Sequence, residues 1–170
     1  MLYELHYRGI DGVDERWEWH PDTMASLALD PDYGAYADRV SAITFASTNL
    51  MSLFGLHRRL RGAIVGHLAA YEMTSSIPCR LVSSGFRRAG YDERTTLYFD
   101  EHVEADAVHE QIAGRDLAGG LIEADPRLLD DIMFGASACL TVDGWMAATM
   151  LEAWERGNTS LRQPVSVVAA

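Results

Sequence analysis

Residues 99–113 read FDEHVEADAVHEQIA and place His102, Asp106 and His109 in the pattern H-x-x-x-D-x-x-H. An α-helix turns by about 100° per residue. Asp106 therefore lies roughly 40° around the helix from His102, and His109 lies roughly 20° from His102 in the opposite direction. The three side chains therefore share one stripe of a predicted helix. Imidazole and carboxylate groups on one stripe are the usual ligands of transition metals, so the stripe is a candidate metal site.

The spacing along this helix favours two metal ions over one. His102 and His109 are about 10 Å apart along the axis, which is far for two imidazoles on one ion. Asp106 lies between them, about 6 Å from His102 and about 4.5 Å from His109. Helical bundles build dinuclear sites from carboxylate-x-x-histidine units of this kind, with the metals roughly 3.5–4 Å apart. The alternative is a solvated polar face that carries two histidines.

Glu72, in the stretch HLAAYEMTSS, is the best candidate for a further ligand. It lies near the end of an apolar run, and a carboxylate buried among small residues is costly unless it is paired or bound to a metal. The alternative is an exposed helix end that leaves Glu72 in water. His57 and His67 are about 15 Å apart along the same predicted helix, too far to share one site. We predict that each is a surface residue or a hydrogen-bonded core residue.

Composition and charge place the chain among ordinary globular proteins. Its 170 residues are 48% hydrophobic and 23% charged, and the formal net charge is −11. So acidic a chain is a poor nucleic-acid binder, because phosphate contacts require Lys and Arg. We recognise no signal sequence and no run of membrane-spanning length, and the two cysteines form no motif. We therefore expect a cytoplasmic protein that binds neither nucleic acid nor membrane.

Helical periodicity dominates the chain and predicts an all-α fold. We expect one helical domain over residues 1–170, with an irregular connection at 9–32 and a tail at 157–170. One helical turn is expected within the connection, near residues 23–29. The predicted helices are 1–8, Tyr36 to Ser75, 79–89, Asp92 to about Ala113, and Arg127 to about Arg156. The second of these is expected to bend at Gly55 or Gly62. Asp92 can cap the fourth helix, and Pro126 can open the last.

Three segments carry a resemblance to a known family. They read YELHYRG (3–9), NLMSLFGLHRRLRGAIVGHLAAYEMTSS (49–76) and FDEHVEADAVHEQIAGRDLAGGL (99–121). The chain resembles the iron-containing redox enzymes within the haem-oxygenase-like di-metal oxidases and oxygenases, and the likeness spans residues 33–162. The resemblance implies a haem-oxygenase-like helical bundle that carries no haem and uses two irons to activate dioxygen. It implies metal-ligand roles for Glu72, His102, Asp106 and His109.

The chain also departs from the family it resembles. Longer relatives carry an insert after the WEW motif that supplies two glutamates and a histidine, whereas Trp17-Glu18-Trp19 here runs almost directly into Pro21-Asp22. The resemblance therefore implies a truncated bundle with only four ligands. Three outcomes remain open: one ion with one histidine idle, two ions completed by water or a second chain, or a remnant that binds nothing tightly.

These features lead to a hypothesis of function. The chain would be a non-haem iron oxidoreductase that uses dioxygen to oxidise a small organic substrate at a di-iron site, although manganese also accepts this donor set. A homodimer is expected, because loss of the insert would expose apolar surface. The main alternative is a non-catalytic helical protein with a vestigial or structural metal site. A metal-independent enzyme would need a cysteine nucleophile, and Cys79 and Cys139 have no evident base partner.

Overall fold

The computed structural model describes residues 16–163, which are predominantly helical and contain no β-strand. The seven α-helices within this range are α1 Arg16–Ser26, α2 Ala42–Leu56, α3 Arg61–Thr74, α4 Ser76–Arg88, α5 Glu93–Glu110, α6 Gly120–Ala124 and α7 Leu129–Glu155. A π-helical segment, Gln111–Gly119, joins α5 to α6. Short 3-10 turns, Arg58–Leu60 and Pro126–Leu128, precede α3 and α7. The predicted all-α class is confirmed, whereas the predicted helix at 1–8 lies outside the described residues.

Helices α3 and α7 cross in close backbone contact because glycines remove the side chains between them. A Cβ built on Gly66 would lie 1.8 Å from the Ile132 carbonyl oxygen, and one built on Gly135 would lie 1.9 Å from the Ala63 carbonyl oxygen. Small buried residues extend this contact to the π-helical segment. The core cluster consists of Ala69, Ala113, Ala118, Leu128 and Ile132. The crossing sets the position of α3, whose last turn carries Glu72.

The π-helical segment corrects the prediction that the helix from Asp92 ends near Ala113. The chain instead stays helical through nine π residues into α6. Ala113 and Ala118 are both buried in the core cluster, yet in an α-helix residues five apart would point about 140° away from each other. A π-helix, with its i→i+5 bonds, has more residues per turn, so residues five apart lie nearer to the same face than they do in an α-helix. Tertiary burial of both alanines therefore explains why the helix widens here instead of ending.

Helix α1 corrects the prediction of an irregular connection at 9–32, because residues 16–26 are helical even though Pro21 lies inside them. Contacts with the start of α5 explain the difference. Thr23 is buried, and its hydroxyl donates to the Thr95 carbonyl oxygen at 3.2 Å. The Ser26 and Thr95 hydroxyls are 2.9 Å apart. These bonds join residues about seventy positions apart in sequence, so local sequence patterns do not reveal them.

The predicted block from Tyr36 to Ser75 is two helices, and the chain breaks at His57 rather than at Gly55 or Gly62. His57 adopts an extended backbone, with φ −109° and ψ 105°. His67, predicted as a surface or core residue, is a core residue that is only 4% exposed. It packs edge-on against Phe54, with ring centroids 6.0 Å apart.

The boundaries that depend on local signals agree with the predictions. The Asp92 carboxylate caps α5 by accepting a hydrogen bond from the Thr95 backbone N–H at 3.2 Å. Pro126 opens the turn that leads into α7. The first part of the predicted tail is tied back to the body of the protein, since the Arg162 backbone N–H donates to the Arg39 carbonyl oxygen at 2.7 Å. Within residues 16–163, no helix combines the length and the apolar character needed to cross a lipid bilayer.

Candidate metal centre

Three of the four predicted ligands come together where α3 meets the end of α5. Glu72 lies on the last turn of α3, while Asp106 and His109 lie on the last turns of α5. Each residue offers one donor atom such that all three atoms lie within 4.8 Å of one another. Asp106 and His109 are neighbours because three residues make nearly one helical turn. Glu72 reaches them only through the packing of α3 against α5.

The distances and burial of this cluster suit a bound metal ion. The His109 Nδ1 atom is 3.3 Å from Glu72 Oε2 and 3.6 Å from Asp106 Oδ1. Ligands bound to one ion at about 2.1 Å are roughly 3.0–3.4 Å apart in octahedral or tetrahedral geometry. The side chains are little exposed: 2% for Asp106, 11% for Glu72 and 17% for His109. One nitrogen and two carboxylate donors therefore fit a divalent transition metal with small adjustments.

The electrostatics of the cluster point the same way. Burial raises the pKa of Glu72 above its ordinary value; the charge of His109 opposes this rise, Asp106 adds to it, and His102 opposes it. Two carboxylates held close together away from water repel each other, and a cation between them would remove that repulsion. A protonated His109 could fill the same role without any metal.

His102, the fourth predicted ligand, lies outside this three-residue group. Its Nδ1 atom is 2.6 Å from the Tyr98 carbonyl oxygen, one turn earlier on α5, and its ring packs against the Tyr98 ring with centroids 4.3 Å apart. A carbonyl oxygen can only accept a hydrogen bond, so Nδ1 carries a proton, and in the neutral imidazole the lone pair is then on Nε2. This is the tautomer typical of metal-ligating histidines. His102 remains close enough to Glu72 to lower that residue's pKa.

Sequence reasoning missed Ser75, which contacts the cluster directly. The Ser75 hydroxyl is 2.5 Å from Asp106 Oδ2 and 3.2 Å from the Glu72 carbonyl oxygen. Ser75 occupies the junction between α3 and α4. The available signal was the run Thr74-Ser75-Ser76 just before Pro78, where hydroxyl side chains accompany a helix end. Sequence alone did not show which distant group such a hydroxyl would meet.

The chain also matches a known protein family. A family model described as iron-containing redox enzyme matches residues 17–144. The matched range includes Glu72, His102, Asp106 and His109. A search of curated proteins and a search of solved structures gave no match.

Proposed function

Because the chain belongs to the iron-containing redox enzyme family, we propose that it is a non-haem iron oxidoreductase that uses dioxygen to oxidise a small organic substrate. The observation that carries the proposal is the buried convergence of Glu72, Asp106 and His109 from two helices. A family of iron-containing redox enzymes and a histidine–dicarboxylate donor set agree in chemistry, since both donor types bind iron. Manganese accepts the same donors, and no haem is part of the proposal.

Each residue has a role in this proposal. Glu72, Asp106 and His109 would hold one iron, and His102 would offer Nε2 as a ligand to a second iron. Two observations support the second position. The His102 Nδ1 atom is bonded to a carbonyl oxygen, and the imidazoles of His102 and His109 both lower the pKa of Glu72. Bound iron would supply the electrons that reduce dioxygen. The protein residues hold the ions in place and, because Asp106 is nearly inaccessible, keep water from that ligand.

The proposal includes a second copy of the chain as partner. Half-exposed apolar side chains lie along α7, among them Met133, Leu140, Leu151 and Trp154. Patches of this kind often mark protein–protein contacts. We expect sedimentation velocity to detect a dimer at micromolar concentration, and a monomer at every concentration would contradict this part. A reducing cytoplasmic location is also proposed, supported by the free thiols of Cys79 and Cys139.

One observation favours a second candidate function, a non-catalytic helical protein. The same distances of 3.3 Å and 3.6 Å allow a protonated His109 to pair with both carboxylates. Such a buried cluster would be a structural device or a vestigial metal site. This non-catalytic function predicts that removing the His109 imidazole changes the stability of the fold and leaves the iron content unaffected.

An anaerobic iron titration separates the two functions. Fe(II) is added to the full chain, unbound metal is removed by desalting, and iron per chain is measured. Air-saturated buffer is then admitted, and oxygen uptake is recorded with an electrode. The enzyme proposal predicts retention of about two irons, as in dinuclear sites, and oxygen uptake that depends on the bound iron. Retention of no iron supports the alternative.

Conservative variants show whether the cluster is the binding site. Asp106→Asn and Glu72→Gln keep the side-chain shape and remove the anionic donor, so both should abolish tight retention. His109→Ala removes the nitrogen donor and should do the same. The matched control is His57→Ala, which removes an exposed histidine that lies before the start of α3, whereas Glu72 lies on its last turn. Equal iron retention in the Asp106 variant and the control would overturn the assignment.

A further inference from the structure

We propose that Ser75 is a positioning residue that makes Asp106 a one-oxygen metal ligand. The inference rests on the proposed function, since it concerns how this chain prepares the ligands of the same site. Ser75 would not contact the ion. It would hold one carboxylate oxygen so that the other faces the metal position.

The two oxygens of Asp106 have different neighbours. Oδ2 is 2.5 Å from the Ser75 hydroxyl. Oδ1 is 3.6 Å from His109 Nδ1 and therefore faces the other proposed metal ligands. A hydroxyl carries a single proton, and the short contact to an anionic oxygen is favoured over the 3.2 Å contact to the Glu72 carbonyl. Asp106 is 2% exposed, so water has little access to replace the hydroxyl. The hydrogen bond therefore fixes the rotation of the carboxylate.

The place of Ser75 in the fold explains why it can act on both helices at once. It follows the last turn of α3, three residues after Glu72, and its own carbonyl accepts the Cys79 backbone N–H at 3.0 Å in the first turn of α4. Its backbone is therefore held at the junction, and its side chain reaches across to α5. Hydrogen bonds of this kind orient metal ligands, and their loss typically weakens metal binding by about 10–100-fold.

The chain offers a matched control for this bond. Ser83 lies on α4 and, like Ser75, donates to an aspartate of α5, Asp100 Oδ1, at 2.5 Å. Asp100 is six residues before Asp106, about 9 Å along the helix and roughly 120° around it. Ser83→Ala therefore removes the same type of bond to the same helix, α5, at a distance from Asp106.

The test measures Co(II) binding, with Co(II) as an air-stable substitute for Fe(II). The dissociation constant is obtained by competition with a chelator, the visible absorption spectrum reports the ligand geometry, and thermal melts are recorded for each variant. We expect Ser75→Ala to weaken binding about 10–100-fold and to change the Co(II) spectrum, because the freed carboxylate can rotate. Ser75→Thr keeps the hydroxyl and should bind nearly as the unaltered protein does. Ser83→Ala should leave both the affinity and the spectrum unchanged.

The outcomes separate this inference from the proposed function. If the unaltered protein takes up neither Co(II) nor Fe(II), both are overturned. If it binds metal and Ser75→Ala binds equally well with the same spectrum, only the role of Ser75 is overturned. If Ser83→Ala weakens binding as much as Ser75→Ala, a general loosening of α4 against α5 is the cause, and the positioning role is likewise overturned. Ser75→Cys, a weak donor of similar size, replaces Ser75→Ala if that variant does not fold.

Discussion

Replacing Gly66 by alanine tests the contact that holds α3 against α7. The added Cβ would lie 1.8 Å from the Ile132 carbonyl oxygen and 2.7 Å from its carbonyl carbon. Ordinary contact between heavy atoms needs about 3.5 Å, so the helices would have to separate by more than about 1 Å. The obstructing atoms belong to the backbone of α7, and no side-chain rotation can remove the clash. Separation would also open the core that Ile132 shares with the π-helical segment.

The energetic cost follows from two opposing effects. Overpacking a core typically costs about 1–3 kcal/mol, and a backbone clash lies at or above the upper end of that range. Alanine recovers about 1 kcal/mol of helix propensity relative to glycine. We expect a net loss of about 2–3 kcal/mol for Gly66→Ala, which corresponds to a fall in Tm of about 4–12 °C in a domain of this size.

The assay is urea denaturation followed by far-ultraviolet circular dichroism, together with a thermal melt. Gly144→Ala is the matched control, because it is a glycine-to-alanine change on α7 whose Cβ would meet no atom within 4 Å. The control should be neutral or more stable by up to about 1 kcal/mol. Equal stability of the two variants would refute the close crossing of α3 and α7, since the helix-propensity change is the same in both.

Substitutions at three further positions test the cap and two titrating groups. Asp92→Ala removes the cap of α5 and should cost about 1 kcal/mol in urea denaturation, whereas Asp92→Asn should retain most of it. Burial lowers the pKa of His67, although Asp143 opposes this. Below about pH 6.5 the unfolded chain therefore binds a proton at His67 more readily than the folded chain does, and the free energy of unfolding should fall as the pH drops. His67→Gln should flatten that dependence between pH 7.5 and 5.5. Partial burial would raise the pKa of Asp100, but hydrogen bonds from Arg87, Ser83 and Thr96 hold it below its ordinary value. The resulting stability is present above the unfolded pKa of about 3.9 and is lost as pH falls through the lower folded value, so Asp100→Asn should reduce the loss measured by denaturation between pH 5 and 3.

Local signals predicted much of the helical framework. Asp92 caps α5 as its side chain indicated, and Pro126 precedes the long helix α7. These signals act within one helical turn, so they can be read from neighbouring residues. The predictions that were wrong involve longer-range effects. Helix α1 depends on bonds to α5 across about seventy residues, and the π-helical segment depends on burying Ala113 and Ala118 in the same core.

The same distinction between local and long-range effects applies to the candidate site. The spacing of Asp106 and His109 follows from the helical repeat, and sequence alone therefore predicted that these two side chains share a face. The approach of Glu72, the hydroxyl of Ser75 beside Asp106 and the bond between His102 and the Tyr98 carbonyl depend on how helices pack and which rotamers they permit. Repeat geometry is a property of the backbone within one helix. The distance between two helices is decided by small side chains and glycines on both, and only the tertiary structure brings those together.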